Sequence, residues 1–379
     1  MQPVTLALAD TKNPLYGPLN SLGLPGNKTE QYRHFGIKPL LARDYLLKIS
    51  KIQTPKEGSR LVIDNGVVTE FPKGVTVRFI DDFIADRDHY DALYFLSHIL
   101  VPAVVCIEVA EDALFELQHR FTQKQTLLPY RICIKTAPNS KVEVFETFQT
   151  QGSEESLLLY GIDAEIAADS TLRWIRDENT PAEESVVIGT HRYNVERQGA
   201  LELKTFDFGS GQALHLCKID LSDYAWTDAA HLLLATEEAC RGNVVRINHN
   251  HPYSKSVQEA RSILKGRAAG IFDGLIRVGH DARYANANQN SKAVLVGEHA
   301  HMYAKPQLEI YTDELKASHG ATIGQLDEEA LFYVRSRGIA LEEARKMLVL
   351  AFADTLIDTV GNDETVKKIH ADFEAAYYH

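Results

Sequence analysis

The chain has 379 residues, 45% of them hydrophobic and 24% charged, which is the balance of a folded protein with a substantial core and not of a disordered one. Its 40 basic and 52 acidic residues give a formal net charge of −12, so a phosphate backbone would be repelled and we expect no nucleic-acid partner. The N-terminus does not read as a signal peptide and no run approaches the roughly 18 apolar residues of a membrane span, so we expect a cytoplasmic protein without membrane contact.

The length indicates two or three domains, unless one of them is an elongated repeat. We expect residues 1–97 to form an N-terminal mixed helical lobe of α/β character. A segment rich in proline and glycine over residues 14–26 precedes a predicted helix over residues 40–49 and predicted strands over 60–69 and 75–80.

From about residue 98 to residue 320, short β-rich runs such as AVVCIEV, KVEVFETF and ALELKTFDF follow one another with almost no helical periodicity. Because helical crossovers are missing, the strands indicate either an antiparallel sandwich or barrel, or a parallel β-helix. Small residues followed by aliphatic or aromatic pairs recur, and Ala282 and Ala300 are 18 residues apart, a spacing that we interpret as one coil. This repeat favours a parallel β-helix core over residues 98–320.

Residues 321–379 are expected to form a C-terminal helical lobe. Asp327 is predicted to cap a helix that stops at Gly338, because a carboxylate accepts from the free N–H groups at a helix start and glycine adopts the left-handed conformation at its end. A second helix is predicted over residues 341–360, where apolar residues recur at helical spacing up to Gly361.

The sequence has no GxxxxGK[ST] phosphate loop and no GxGxxG after a strand, which argues against nucleotide hydrolysis and dinucleotide binding. The FGSGQ segment at 208–212 is interpreted as a turn between strands. The cysteines are too far apart for a local zinc or cluster motif, and their apolar neighbours predict buried, unreactive thiols. They are Cys106, Cys133, Cys217 and Cys240.

Two histidines, His249 and His251, would point to the same side of a strand, as a pair of metal ligands does. Later histidines that a β-helix could bring nearby are His280, His299 and His301. Hydrogen-bonded surface histidines are the more common outcome of such a pattern, and both interpretations stay open.

The most specific part of the sequence is the segment 305–340, KPQLEIYTDELKASHGATIGQLDEEALFYVRSRGIA. It resembles the signature of the SufB/SufD family, and its SHGAT core at 318–322, followed by LFY and RSRG, is more similar to the SufD branch than to the SufB branch. Weaker similarity extends to the GLP at 23–25 followed by Glu30, and to the QN at 289–290.

This resemblance implies a mainly β fold, with a right-handed parallel β-helix flanked by the N-terminal α/β lobe and the C-terminal helical lobe. It implies a non-catalytic, SufD-like scaffold subunit of a SufBCD complex that supports assembly and transfer of nascent iron–sulfur clusters. The partners would be a SufB-type scaffold, bound as a heterodimer through the end of the β-helix, and a SufC-type ATPase, bound by the C-terminal lobe. A homodimer and a flavin on the complex are left open.

In that family the histidine of the SHGAT motif is proposed to help hold a transient iron–sulfur cluster at the partner interface, and here that position is His319. A neutral imidazole is a competent iron ligand, and beside partner thiolates it would give a labile site. Many family members carry a cysteine two residues earlier, where this chain has Ala317. His319 is therefore the candidate ligand of the motif, and the alternative is that it only hydrogen-bonds the strand-to-helix turn.

Two other functions are compatible with part of the sequence. A purely architectural subunit would recruit the ATPase without touching iron. A β-helix enzyme acting on carbohydrate would need clustered acids and aromatic residues on one exposed sheet, for which Asp223, Trp226 and Asp228 are the candidates.

Overall fold

The structure is a computed structural model that describes residues 1–49, 52–181 and 185–378, with 47% strand and 19% helix. The strands are, in chain order, β1 (Leu46–Leu47), β2 (Lys56–Gly58), β3 (Leu61–Asp64), β4 (Val67–Pro72), β5 (Val75–Ile80), β6 (Val104–Val109), β7 (Ala113–Arg120), β8 (Thr126–Thr136), β9 (Lys141–Gln149), β10 (Leu157–Ile166), β11 (Thr171–Asn179), β12 (Val186–Val195), β13 (Ala200–Gly209), β14 (Ala213–Leu221), β15 (Trp226–Ala235), β16 (Cys240–His249), β17 (Lys255–Leu264), β18 (Ala269–Val278), β19 (Ala285–Leu295), β20 (His301–Ile310) and β21 (Leu315–Gly324). The helices are α1 (Tyr16–Leu22), α2 (Ile37–Leu41), α3 (Ala92–Leu100), α4 (Glu328–Ser336), α5 (Leu341–Ile357) and α6 (Asp363–Tyr378), with 3-10 turns at Leu6–Leu8, Glu30–Tyr32 and Asp358–Val360.

Two long sheets share one core and form a parallel β-solenoid of about seven turns. Sheet I has the order β20-β18-β16-β14-β12-β10-β8-β6-β5, with β1 beside β8, and sheet II has the order β2-β4-β3-β7-β9-β11-β13-β15-β17-β19-β21. Among the described strands, only the pairs β3–β4 and β5–β6 are antiparallel. The predicted parallel β-helix is confirmed, and the sandwich alternative is excluded.

One turn of the solenoid contains about 30 residues. Ser318 Oγ on β21 donates to Asn288 Oδ1 on β19, which lies 30 residues earlier. Each turn holds one strand from each sheet and two connections, and Ala282 and Ala300 lie in successive connections. Our interpretation of their spacing as one coil is therefore wrong, because it covers only about half a turn.

The core is built from rows of side chains that run along the solenoid, because alternate residues of every strand point inward. One such row on sheet I is fully buried and apolar, and consists of Ile134, Ala164, Tyr193, Ile219, Ile247 and Ile276. Burying an aliphatic side chain of this size stabilises the fold by about 1.5–3 kcal/mol. Each added turn therefore extends one continuous core.

The FGSGQ segment forms the connection between β13 and β14, which confirms the predicted turn. Gly209 has a φ of 119°, and the Gly211 N–H donates to Thr180 O of the preceding turn at 3.0 Å. A Cβ on Gly211 would lie 2.3 Å from that oxygen, so the close approach of successive turns requires glycine there.

The N-terminal region differs from its prediction in two places. The helix predicted over residues 40–49 ends at Leu41, and the chain continues into β1, which pairs with β8, because tertiary pairing overrides a weak local helical pattern. The strand predicted over 60–69 is divided into β3 and β4, since Asn65 and Gly66 have φ values of 47° and 79° and turn the chain.

The strand predicted over 75–80 is confirmed as β5. Strands β2 to β5 extend the two sheets of the solenoid, so the expected first lobe shares its sheets with the core. Helix α3 was not predicted, because it is buried on nearly every side and shows little apolar alternation. The Asp91 carboxylate caps this helix by accepting from Tyr94 N at 2.9 Å. The helix packs on the outer face of sheet I.

The first two C-terminal helices, α4 and α5, agree with the sequence analysis. Asp327 Oδ1 accepts from the N–H groups of Glu329 and Ala330 at the start of α4, and Gly338 follows the helix with a φ of 87°. Helix α5 continues as a 3-10 turn up to Gly361, whose φ is 77°. The last helix, α6, was not predicted, and β21 runs past the boundary that we expected at residue 320.

Helices α5 and α6 cover part of the outer face of sheet II. Val349, Ala353 and Phe373 from the helices pack on Phe206 and Leu232 from the sheet in a separate apolar cluster. The C-terminal region is therefore anchored on the solenoid through buried contacts. None of the helices in the described part of the chain has the length and apolar character needed to cross a bilayer.

Candidate functional site

The solenoid has an open end formed by β20 and β21. Within the described residues, each of these strands has a sheet neighbour on one side only. Most residues of β21 are exposed, whereas residues of β19, one turn below, alternate between buried and half-buried. Unpaired N–H and C=O groups on such an edge are a template for a further strand.

His319 belongs to the inward-facing row at this open end. It is in register with Gln289 on β19, which is in register with Gln258 on β17. Both glutamines are buried, and Gln289 Nε2 donates to Gln258 Oε1 at 2.7 Å. His319 is exposed because β21 is the last strand of its sheet. Its imidazole therefore lies at the mouth of the solenoid interior.

The His319 ring has small neighbours. Ala317 and Ala321 flank it on the same side of β21, whereas Ser318 is on the opposite side and donates to Asn288. Across residues 1–49, 52–181 and 185–378, no hydrogen bond or ion pair of the His319 ring is found. Within these described residues, the alternative hydrogen bond to the strand-to-helix turn is not found.

The other candidate histidines do not converge. His249 is buried and both of its ring nitrogens are used, Nδ1 by Ser254 Oγ and Nε2 by Ser256 Oγ, each at 2.8 Å. Burial lowers the pKa of His249 to about 4. His251 lies beyond the end of β16 and is exposed, so the two rings do not share a strand face. The remaining candidates, His280, His299 and His301, are exposed.

The cysteines are free thiols, as expected, and they do not form a cluster site in the described structure. Cys106 on β6 and Cys133 on β8 are buried side by side because their spacing of 27 positions is about one turn. Burial raises the pKa of Cys217 and that of Cys240 to about 12. Cys240 is only half-buried and donates to His34 O at 3.3 Å.

The interior of the solenoid contains a charged group that the sequence analysis missed. Ligand atoms of Glu178, Asp207 and His215 lie within 4.8 Å of one another, and all three residues are buried. However, Arg176 binds Asp207 and Arg241 binds Glu178. Two guanidinium groups already balance the two carboxylates, so a divalent cation would add uncompensated buried charge. The group is a buried ion-pair network and not a metal site.

The arrangement expected of a carbohydrate-active enzyme is not formed. Asp228 lies on the outer side of β15 and binds Lys204 Nζ at 2.5 Å. Its neighbour in register, Glu202, binds Arg173 Nε at 2.7 Å. Asp223 lies in a connection outside the strand. Asp228 and Glu202 are therefore held in ion pairs with basic residues of the same sheet.

Helix α4 carries the two aromatic side chains with the highest exposed fractions in the described C-terminal region. Phe332 is 75% exposed and Tyr333 is 59% exposed, while Leu331 between the helices is buried. Arg337 lies over the Tyr333 ring, 4.8 Å from its centroid, and donates to its hydroxyl at 2.6 Å. Phe332 and Tyr333 therefore form an exposed aromatic surface with Arg337 at its edge.

Residues 119–352 match the family described as SUF system FeS cluster assembly, SufBD core domain. The iron-sulfur cluster assembly protein SufD of Escherichia coli (strain K12) is 38% identical over 122 residues, which cover 32% of this chain and 29% of that protein. The protein of the same name from Bacillus subtilis (strain 168) is 28% identical over 147 residues, or 39% of this chain and 34% of the relative. The matched segments thus span about a third or less of these relatives. Since the family match covers more than half of the chain, the chain belongs to the SufB/SufD family of iron–sulfur cluster assembly proteins, with similarity to its SufD-type members.

Proposed function

We propose that the chain acts in the cytoplasm as a non-catalytic, SufD-like scaffold subunit of a SufBCD complex and supports assembly and transfer of nascent iron–sulfur clusters. The observation that carries this proposal is the position of His319, whose imidazole lies at the mouth of the solenoid on the edge strand β21. A SufB-type scaffold bound at this end would bring its own side chains to the same place.

The cluster is cargo in this proposal, shared with the partner and released to a recipient. One imidazole nitrogen is a weaker anchor for iron than a full set of thiolates, and Ala317 supplies no thiol beside it. The chain's own cysteines lie on β6, β8, β14 and β16, and none of them is on the edge strands β20 and β21. The remaining ligands would therefore come from the partner.

The test of the ligand role is His319→Ala in the reconstituted complex, with the iron and sulfide content and the visible absorption of the complex as readouts. We expect normal assembly of the subunits and a reduced cluster yield. His319→Cys should restore much of the yield, because a thiolate is also an iron ligand. His299→Ala, at an exposed histidine in the connection before β20, is the matched control.

A normal cluster yield from His319→Ala would refute the ligand role and leave the second candidate function. In that case the chain is a purely architectural subunit that stabilises the scaffold partner and recruits the ATPase. The observation that favours recruitment is the exposed aromatic surface of α4.

We propose that α4 is the docking surface for the SufC-type ATPase. Deleting everything after Thr322 would cut β21 and uncover the apolar cluster under α5 and α6, so a point variant tests docking more cleanly. Phe332→Ala with Tyr333→Ala should weaken co-purification of the ATPase at least tenfold. Glu329→Ala on the same helix is the control, and unchanged binding by the double variant would contradict docking at α4.

A further inference from the structure

Cys106 and Cys133 form a pair of adjacent thiols on the outer face of sheet I. The two residues are in register on the parallel strands β6 and β8, and neither side chain is exposed to solvent. Ile107 and Ile132, which are next to them in sequence, belong to the core of the solenoid. Because successive side chains of a strand point to opposite faces, both thiols leave the sheet on its outer side and lie next to each other.

The thiol pair lies one layer of side chains below a cavity at the protein surface. Ile80, Phe83, Val101 and Val104 form an apolar cluster with the two cysteines, and the same four residues line a cavity of about 290 Å³. Phe83 and Val101 are only half-buried. The cavity therefore gives a small ion a short route to two sulfur atoms that have no direct contact with solvent.

The pair offers two soft ligands. Across the described residues, the one group of three His, Cys, Asp or Glu side chains with ligand atoms within 4.8 Å of one another is Glu178, Asp207 and His215, so no third side chain of these types completes a group with the two thiols. Structural zinc sites use four ligands, which makes the pair incomplete for Zn²⁺. Thiolates select soft ions such as Cu(I), and Cu(I) is stable with two thiolates in a linear arrangement.

The spacing of the two strands suits a bridging ion better than a disulfide. Neighbouring strands lie about 4.7–4.9 Å apart, and side chains in register on a parallel pair keep roughly this spacing at their Cβ atoms. A disulfide needs Cβ atoms about 3.5–4.5 Å apart, so it would have to pull β6 and β8 together. An ion held between the two sulfur atoms spans the wider gap without moving the strands.

A monovalent ion can take the place of a proton that the two thiols share. A hydrogen bond from the Cys133 thiol lowers the pKa of Cys106 in spite of burial, and this hydrogen bond together with burial raises the pKa of Cys133. Loss of the first proton therefore leaves a Cys106 thiolate that accepts from the Cys133 thiol. When Cu(I) binds both sulfur atoms, the Cys133 proton leaves to solvent, and the buried pair keeps its single negative charge.

We propose that Cys106 and Cys133 bind one soft monovalent cation, Cu(I), as a two-coordinate thiolate site that links β6 to β8. The site is independent of the proposed function, because it uses neither His319 nor the aromatic surface of α4. Two thiols that were expected to be unreactive then have a role as metal ligands.

The experiment adds Cu(I) to the purified chain, kept reduced and free of oxygen, in competition with the chromophoric chelator bathocuproine disulfonate. The unsubstituted chain should take up one equivalent of Cu(I). Cys106→Ser and Cys133→Ser should each weaken Cu(I) binding by about a hundredfold or more, because each removes one of two soft ligands. Cys217→Ser removes a buried thiol that has no cysteine in register beside it, and Cys240→Ser removes a half-buried one. Both control variants should bind Cu(I) as the unsubstituted chain does.

X-ray absorption of the copper-loaded unsubstituted chain tests the site without any substitution, and thermal unfolding checks that each variant remains folded. The spectrum should show two sulfur ligands for each copper, and a nitrogen ligand or a third sulfur ligand would overturn the two-thiol site. Cu(I) binding that Cys106→Ser and Cys133→Ser retain, or that Cys240→Ser loses, would assign the metal to another place and overturn the proposal. A chain whose two thiols form a disulfide in air and take up no Cu(I) after reduction would overturn it as well.

Discussion

Arg176 donates from Nη2 to both carboxylate oxygens of Asp207, at 3.1 and 3.2 Å, and about 1% of either side chain is exposed. Asn243 Nδ2 also binds Asp207, at 2.9 Å. Removing one member of a buried pair leaves the other charge uncompensated. We predict that Asp207→Ala lowers the free energy of unfolding by about 3–5 kcal/mol, measured by urea denaturation followed by circular dichroism.

The matched control for Asp207→Ala is Arg267→Ala. Arg267 and Glu238 form an ion pair at 3.4 Å, but their side chains are 70% and 83% exposed. Water screens such a pair, so this substitution should change the free energy of unfolding by less than about 1 kcal/mol. Similar losses from the two variants would show that the buried network does not stabilise the solenoid.

Buried histidines should make the folded protein less stable below neutral pH. Burial lowers the pKa of His249 and His98 to about 4 and that of His89 and His231 to about 3. The unfolded chain takes up protons below its histidine pKa of about 6.5, whereas the folded chain does not, so stability falls as the pH drops from about 6.5 towards 4. Each such histidine contributes about 1.4 kcal/mol per pH unit in this window.

A single variant tests this pH dependence. His249→Gln keeps an amide that can bind Ser254 or Ser256 but cannot take up a proton. We predict that the free energy of unfolding of this variant falls less steeply between pH 6 and pH 4.5. The slope should be smaller by about 1.4 kcal/mol per pH unit, which corresponds to the uptake of one proton fewer on unfolding. His299→Gln, at an exposed position, should leave the slope unchanged. Equal slopes for the unsubstituted protein and both variants would show that His249 does not contribute to the pH dependence of stability.

The pair Arg131 and Asp163 should add a second loss of stability at lower pH. Burial disfavours the ionised Asp163 carboxylate, but Arg131 and His98 outweigh it and hold its pKa well below its usual range. A depressed carboxylate pKa stabilises the folded state above the unfolded value of about 3.9, and this contribution is lost as the pH falls further. We expect Asp163→Asn to remove that low-pH component in acid unfolding followed by fluorescence.

Three tyrosines stack on the equivalent connections of three successive turns of the solenoid. Neighbouring rings of Tyr224, Tyr253 and Tyr284 have centroids 4.8 and 5.0 Å apart, and the three residues have φ values of 57°, 61° and 61°. The left-handed conformation costs a residue with a Cβ about 1–2 kcal/mol. Tyr253→Ala loses the stacking and keeps this strain, whereas Tyr253→Gly loses the stacking and the strain.

We therefore predict that Tyr253→Gly unfolds at a higher urea concentration than Tyr253→Ala, with a difference of about 1 kcal/mol. The order should reverse at Glu329 in α4, where alanine is favoured over glycine by about 1 kcal/mol. If Tyr253→Ala is more stable than Tyr253→Gly, the left-handed backbone conformation at residue 253 is contradicted.

The cap of α4 should matter for the ATPase surface. Asp327 Oδ1 accepts from two backbone N–H groups at 2.8 and 3.2 Å, and losing such a cap costs about 0.5–2 kcal/mol. Asp327→Ala should fray the helix that presents Phe332 and weaken ATPase co-purification, whereas Asp327→Asn retains a capping oxygen and should bind almost normally. Equal binding by both variants would show that docking does not depend on the order of α4.

Local chemistry allowed the sequence alone to determine several features. The start of α4 was predicted from Asp327, and the ends of α4 and α5 were predicted from Gly338 and Gly361. These predictions succeeded because a capping carboxylate and a left-handed glycine act on their own sequence neighbours. The segment 305–340 indicated the family, and the family match over residues 119–352 agrees with it. Dense β-rich runs without helical crossovers left a sandwich or barrel and a parallel β-helix open, and the sheet order confirms the parallel β-helix.

Features that depend on the turn length were decided only by the tertiary structure. The spacing of 27 residues between Cys106 and Cys133 predicts no contact from local sequence patterns. The two residues are neighbours on adjacent strands because one turn of the solenoid is about that long. The same stacking brings Arg176 to Asp207 and sets His319 above Gln289 at the open end. Sequence patterns report contacts within a strand or a helix, whereas these contacts join residues about 30 positions apart, so the register between successive turns decided them.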